Sequence, residues 1–583
     1  MNGAEYIVEF LSQRGSKRIF LVTGGACAFI VDAIAKHPAV DYVCFQHEQA
    51  AAMAADAIWR IDRTVGVTLA TSGPGATNLL TGIGCSYFDS IPSLHITGQV
   101  NRSESAAFLG AKVRQAGFQE TDIVEMARPI TKYAVQVNSV AELKKELIKA
   151  YNLAISGRMG PVLLDIPMNV QKEDAGDVVE YTEPDSAKVA GEVLTCLKAK
   201  LEVFFKESQR PLVLFGAGIG LAGVQDQIVS WLETRGIPFV SSWNGMSYFN
   251  HDSGVYYGHI GVYGNRGANY ILQNCDALLV LGSRLDNRQR SGNSQSFAPG
   301  ARVHVIDIDP EESKKYGPQG YTTTTLDLKL LPHIVSGLVI GGISQVWSAY
   351  LSDIKCRYFG RNVSTFAQRH DTLSPYEIVQ RINRLIDENA IVIPECGANL
   401  CWVYQVFHRT KQTIFTAGGM SPMGYTLPAA IGAALHAPHR QVVGILGDGG
   451  FQMNIQELQT IYYNNLNIKL VILNNYGYGI IKQFQDSYFG SRYEATGKGY
   501  SLPDFKAVAE AYKIPYRRID HLEQVVPEFF RQVGPMIIDV TLDPNTLIEP
   551  KLEMGHPIHD QFPYVSDEEF TAANRFCQYK RVT

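Results

Sequence analysis

The chain has 583 residues, 46% hydrophobic and 19% charged, with a formal net charge of −5; this balance belongs to three or four globular units, and with no basic block it argues against nucleic acid as the main partner. No uninterrupted apolar run approaches the roughly 18 residues that span a bilayer, and the start MNGAEYIVEF carries Glu5 where a secretion signal would be basic, so the chain reads as cytoplasmic. Nine scattered cysteines without a CxxC pair point to neither a disulfide framework nor a zinc site.

The first unit, residues 1–172, alternates strand and helix signals. RIFLVTGG (18–25) reads as a strand running into a glycine turn at Gly25, and DYVCFQHE (41–48) as a strand ending in Glu48. EQAAAMAADAIWR is an alanine-rich helix, and TVGVTLATSGPGATN is a strand with a glycine turn that closes on Asn78. Such a series implies a mostly parallel sheet covered by helices on both faces. Glu48, at a strand's carboxyl end, is placed to reach a ligand at the sheet edge, although a carboxylate at a helix start is also stabilised by the dipole alone. His47-Glu48 does not extend to a zinc HExxH, because position 51 is Ala. VRQAGFQETDIVEMARPITKYAV (113–135) carries Phe118 and Gln119, and SGRMGPVLLDIPMNVQ ends the unit.

An acidic, polar stretch at 173–191 reads as a linker. The second unit, 190–340, opens with PLVLFGAGIGLAG, whose Gly218-x-Gly220-x-x-Gly223 follows a strand as in a dinucleotide fingerprint. The next strand, PFVSSWNG, ends without the acidic residue that an NAD ribose needs, so NAD is disfavoured. A second linker is expected at 345–370. The third unit, 370–545, contains IVIPECGANLCW and GGMSPMGYTLPAAIGAAL, and residues 546–583 form a Pro-rich tail, a candidate lid.

Within the third unit, residues 441–480 read as strand, Gly447-Asp448-Gly449-Gly450 turn, helix, second strand, then Asn474-Asn475. Both strands of a right-handed strand-helix-strand unit end on the same edge, so Asp448 and Asn475 would meet there around one hard cation held together with a phosphate. This GDG…NN spacing resembles the signature of the thiamine diphosphate (ThDP) enzymes. The resemblance implies Mg2+ bound by Asp448, Asn475 and the carbonyl of Gly477, with Gly447, Gly449, Gly450 and Tyr478 around the cofactor.

FQHEQAAAMAADA, ATSGPGATN, FQE…RPITK and GGMSPMGYTLPAAIGAAL resemble, in order, segments of the acetolactate synthases, and the likeness runs from about residue 4 to 545. It implies an α/β fold of three doubly wound parallel-sheet domains: pyrimidine-binding, middle FAD-type and diphosphate-binding. Glu48 would hydrogen-bond N1′ of the aminopyrimidine and promote the tautomer that deprotonates C2, with Gly25, Asn78 and Gln119 close by and Met423 propping the bent cofactor. GHIGVYGNRGAN, LLVLGSRLDNR, VHVIDIDPEE and LDLK are similar to that family's FAD-binding stretches, which places Gly218, Gly261, Gly264, Ser283, Arg284, Asp286, Asp307 and Asp327 around a flavin without net redox role. Ser283 and Leu326 replace the usual alanine and glycine.

The departures bear on substrate. ECGANLCW stands where the family has GVGQHQMW, and Phe484 stands where a Trp shapes acceptor choice, with Ile480 and Ile481 on the same helix, Phe118 nearby and Arg288 retained as the channel's basic residue. The tail resembles that of carboligases from surface-polysaccharide pathways. The expected activity is decarboxylation of pyruvate and transfer of the two-carbon unit to a ketone or 2-keto acid; the alternative is a 2-keto acid decarboxylase or oxidase that releases aldehyde or acid. A homodimer or homotetramer is implied, since the family's pyrimidine and diphosphate units meet across subunits.

Overall fold

A computed structural model describes residues 1–179, 181–183, 191–359, 373–577, 579 and 581. Three six-stranded sheets, all parallel and flanked by helices, succeed one another along the chain. The first contains β1 (Arg18–Leu21), β2 (Asp41–Cys44), β3 (Gly66–Ala70), β4 (Ser93–Gln99), β5 (Tyr133–Gln136) and β6 (Val162–Pro167) in the order β2-β1-β3-β4-β6-β5. In the middle sheet β7 (Pro211–Phe215), β8 (Phe239–Ser241), β9 (Tyr256–His259), β10 (Ala277–Leu281), β11 (Arg302–Asp307) and β12 (Thr322–Thr325) run β12-β11-β10-β7-β8-β9. That is the dinucleotide-fold order, with its reversal between β7 and β10. The third sheet, β13 (Ile391–Pro394), β14 (Thr413–Ile414), β15 (Val442–Gly447), β16 (Ile468–Asn474), β17 (Tyr516–Ile519) and β18 (Met536–Thr541), has the order β14-β13-β15-β16-β18-β17, the same as the first.

The central strands are buried throughout and carry unbroken apolar runs, as strands covered on both faces must. Small residues join the first and third units. The alanine-rich helix α1 (Glu48–Asp62) lies against helix α2 (Thr426–His436), where a Cβ added at Gly432 would overlap the Ala54 carbonyl. Buried Asp56 inside this contact accepts from Arg60 (2.8 Å), Ser86 (3.0 Å) and the Tyr425 hydroxyl. Gly432→Ala is therefore expected to cost about 1–3 kcal/mol through overpacking, read as a lower denaturation midpoint.

Two stretches differ from the sequence reading. The expected linker at 345–370 begins as a helix, Gln345–Tyr358, with Trp347, Tyr350, Leu351, Ile354 and Tyr358 buried against the middle unit; those positions already carry the i, i+3, i+4, i+7 spacing of an apolar helix face. Its later part, 360–370, lies outside the described residues, as do 180 and 184–190 of the first linker. The tail, a candidate lid from the sequence, packs on the middle unit: Leu552, Ile558, Phe570 and Ala573 enter its core, and Arg266 donates to the carbonyls of Gln561 (3.1 Å) and Pro563 (2.6 Å). Among the described residues no helix is long and apolar enough to cross a membrane.

Candidate functional site

Register fixes the first half of the site. β15 and β16 pair from Val442↔Ile468 to Gly447↔Leu473, so the GDGG turn and the Asn pair leave the sheet side by side. The two asparagines then divide. Asn474 is used structurally, its amide donating to Asp539 (3.2 Å) and its oxygen accepting from Tyr476 N (3.2 Å). Asn475 is 4% exposed and its amide nitrogen has no partner. Asp448 is 2% exposed; it accepts from Gly449 N (2.6 Å), the Tyr500 hydroxyl (3.0 Å) and Gly477 N (3.0 Å), and burial pushes its carboxyl up to about 6. A cation beside it would reverse that shift by favouring the charged form.

Glycine is required at this turn because its neighbours leave no room for side chains. A Cβ at Gly449 would strike the Tyr478 ring and lie 3.1 Å from Met423 Cε, and one at Gly450 would lie 2.8 Å from Glu395 Cγ. Gly447 faces Asn399 Oδ1 at 3.2 Å on the same basis. Asp448, Met423, Gly449, Gly477, Tyr478 and Tyr500 are thus gathered at one edge, with the rings of Tyr478 and Tyr500 centred 4.5 Å apart. The sequence reading missed Glu395, Asn399 and Tyr500. Glu395 is buried, takes Tyr425 N at 3.1 Å, and has its carboxyl pushed up to about 7 by desolvation. Among the described residues no cluster of three or more His, Cys, Asp or Glu side chains could hold a metal. A single carboxylate is what Mg2+ takes when it shares its shell with phosphate.

Glu48 opens helix α1 behind His47, whose Nδ1 accepts from Gln49 N (3.1 Å). Its carboxylate is 7% exposed and accepts from Asn78 Nδ2 at 2.9 Å, so those two residues meet. A Cβ at Gly75 would stand 3.2 Å from Glu48 Oε1. Gln119 holds a left-handed φ of 62° against Gly73, a strained conformation of the kind found at ligand clamps. Gly25 is exposed, with open space where a Cβ would be. Phe118 does not join them: it is 84% exposed, in a loop that also exposes Phe108, Leu109 and Val113. A further missed residue is Glu457 of the third unit, buried beside this turn, which accepts from the backbone N–H groups of Gln46 and His47 (both 3.1 Å). Its signal in the sequence was one glutamate among many.

At the β7/β10 reversal lies an open cleft lined by Gly218, Ser283, Arg284, Asp286, Asp307 and Asp327 together with Arg288. Gly218 is required by close approach, since a Cβ there would be 2.8 Å from Gly282 Cα. Gly261 and Gly264 do not line the cleft; they shape the turn after β9, where a Cβ at Gly261 would meet the Arg288 carbonyl. The first unit supplies Arg60, Asp89 and Arg158 to the wall, which motif reading could not foresee because the contact is made only by docking of the units. Arg158 is itself paired with Asp309 (2.6 Å) and Glu312 (3.0 Å).

Helix α3 (Gly479–Phe489) leaves the Asn pair carrying Ile480, half-buried against the core, and Ile481 and Phe484, 47% and 37% exposed. Phe484 packs on Tyr488 with ring centroids 4.7 Å apart. Arg288 lies over the Tyr263 ring at 5.5 Å.

The chain matches three families in order, described as the N-terminal TPP binding domain, the central domain and the C-terminal TPP binding domain of thiamine pyrophosphate enzymes, over residues 1–126, 199–323 and 395–540. It is 33% identical to the acetolactate synthase isozyme 2 large subunit of Escherichia coli K12, over 95% of this chain and 98% of that protein. It is 32% identical to a probable acetolactate synthase large subunit of Methanocaldococcus jannaschii (93% and 92%) and 31% to the acetolactate synthase large subunit of Lactococcus lactis (95% and 95%). With three parallel units in the matching order and a buried Asp448 and Asn475 at one sheet edge, the chain belongs to the thiamine pyrophosphate enzymes, as an acetolactate synthase-like, ThDP-dependent enzyme that transfers a two-carbon unit.

Proposed function

We propose that this enzyme decarboxylates pyruvate and joins the two-carbon unit to a ketone or 2-keto acid, using ThDP and Mg2+, with FAD in the middle cleft and no net redox role for it. The observation that carries the reading is the edge of β15 and β16: a buried carboxylate raised by desolvation, a carboxamide without a partner, and glycines closed in by Met423 and Tyr478. Asp448, Asn475 and the Gly477 carbonyl would hold Mg2+, and Gly447, Gly449 and Gly450 would take the diphosphate against bare backbone. Bound ThDP would supply the electron sink for loss of CO2 and the nucleophilic carbon for ligation.

The protein's own part is proton control, orientation and exclusion of water. Glu48, steadied by Asn78 and nearly sealed from solvent, would hydrogen-bond the aminopyrimidine and share its proton. Gly25 leaves space open for substrate, and Gln119 is held beside Gly73. Arg288, Ile480, Ile481 and Phe484 would meet the acceptor. The cleft at the β7/β10 reversal fits a dinucleotide, because the glycine-lined ends of two strands approach there and acidic and basic side chains line its wall. The exposed apolar loop bearing Phe118 supports a homodimer or homotetramer, since such a patch marks an interface. An active monomer on gel filtration would contradict that.

Product analysis tests the whole reading. Purified protein with ThDP and Mg2+ is expected to form a new C–C bond when pyruvate is supplied with a ketone or second keto acid, and to lose activity on dialysis against a chelator. Free acetaldehyde or acetate as the sole product would instead show a decarboxylase or oxidase, and the visible spectrum of the protein reports flavin.

A further inference from the structure

Residues 547–554 form a strap from the third unit to the middle one, and it is tied along nearly its whole length. Trp402 Nε1 donates to the Leu547 carbonyl (3.0 Å), and the Gln483 side chain exchanges two bonds with Ile548, each 3.0 Å. Gln405 donates to the Pro550 carbonyl (2.8 Å), and Lys551 pairs with Phe562 through both backbone groups (2.9 and 2.8 Å). Leu552 N donates to the Val262 carbonyl and Val262 N to the Arg288 carbonyl, both at 2.8 Å. The strap is therefore a fixed wall between helix Ala398–Val406, helix α3 and the loop that carries Arg288.

One group on this wall lacks a counterpart. The Lys551 side chain is buried, 5% exposed, and its Nζ is sealed from solvent with no hydrogen-bond partner. The Glu553 and Asp486 carboxylates are within electrostatic reach of Lys551, but their hydrogen bonds go elsewhere: Glu553 accepts from Ser487 (3.3 Å) and Tyr564 (2.5 Å), and Asp486 from Tyr493. The Cys401 thiol lies within electrostatic reach of Lys551, which sets the ammonium toward helix Ala398–Val406, beyond the ECGANLCW edge of β13. A buried ammonium without an acceptor is costly, and the usual remedies, an ion pair or a hydrogen-bonded cage, are missing. The bland alternative is a lysine stem that merely fills space.

We propose that Lys551 binds an oxyanion on the acceptor substrate, a carboxylate or a phosphate, and so selects charged acceptors over neutral ketones. This rests on the carboligase reading above.

Lys551→Met keeps the length of the stem and removes the charge. In the ThDP- and Mg2+-loaded full chain, KM is measured for 2-ketobutyrate, a nucleoside diphosphate-linked 4-ketohexose and acetone, with pyruvate as donor. KM for at least one anionic acceptor is expected to rise about thirtyfold or more, as for loss of one partner of a buried charge pair. KM for acetone and for pyruvate stays within about threefold. The Tm rises, because an unpaired buried charge is gone. Loss confined to 2-ketobutyrate identifies a carboxylate, and loss confined to the nucleotide sugar a phosphate. An equal rise in the pyruvate KM with acetone as acceptor overturns the proposal in favour of the donor's carboxylate, and unchanged constants throughout overturn it in favour of stem packing. Calorimetric titration of both proteins with 2-hydroxybutyrate and with a nucleoside diphosphate hexose, without pyruvate, asks the same question of binding alone. Failure of wild-type carboligation therefore stays distinguishable from failure of the Lys551 assignment.

Discussion

Glu48→Gln is expected to lower turnover of pyruvate by about 10²–10⁴-fold, the range ascribed to a positioned acid–base group. The substitution is nearly isosteric. A glutamine oxygen can still accept from Asn78, so the turn held by Glu457 and the start of helix α1 stay in place. What disappears is the exchangeable proton and the negative charge at a group only 7% exposed, where no water stands ready to substitute. CO2 release from pyruvate measures the loss, with far-UV circular dichroism and the denaturation midpoint confirming an intact fold. Undiminished turnover would remove Glu48 from the activating role.

Asp448→Ala is expected to weaken the joint binding of Mg2+ and ThDP by at least the roughly 10–100-fold that disturbance of a metal's outer partners alone produces. Two effects add here. The carboxylate proposed to face the cation is removed, and three donors directed at it, Gly449 N, Gly477 N and the Tyr500 hydroxyl, lose their acceptor. Each orphaned buried donor costs about 1–3 kcal/mol, so the unloaded variant should also be less stable than wild type. Titration of the protein's intrinsic fluorescence with ThDP at fixed Mg2+ reads the first effect and a denaturant midpoint the second. Wild-type affinity in the variant would refute Asp448 as the metal ligand.

The fold was legible because its signals are local. Apolar runs bounded by glycine turns marked β1, β3, β15 and β16, and the 27-residue separation of Asp448 and Asn475 needed only one right-handed crossover to become proximity. What escaped depended on packing between units. Glu457 acts on Gln46 and His47 from more than 400 residues away, Arg158 and Asp89 reach the middle cleft only after docking, and Tyr500 finds Asp448 across a loop. The helix at Gln345–Tyr358 is a different case. Its apolar spacing was present, but polar residues between the anchors made the stretch look like a connector. Gly261 and Gly264 lie in the turn after β9, where a Cβ at Gly261 would meet the Arg288 carbonyl.

The shared strand order of the first and third sheets gives the α1–α2 contact a further meaning. Each of these helices follows the second strand of its own sheet, β2 in one case and β14 in the other, so the contact joins equivalent elements of two like-folded halves. That is the form of an isologous interface, the self-complementary patch of a twofold dimer, enclosed here within a single chain. Equivalence of the two faces explains why both helices are rich in small residues. The two faces differ in their polar groups, one carrying the Asp56–Arg60 pair and the other supplying Tyr425 to meet it. The chain thus encloses, between two sheets of one strand order, a contact that pairs equivalent helices.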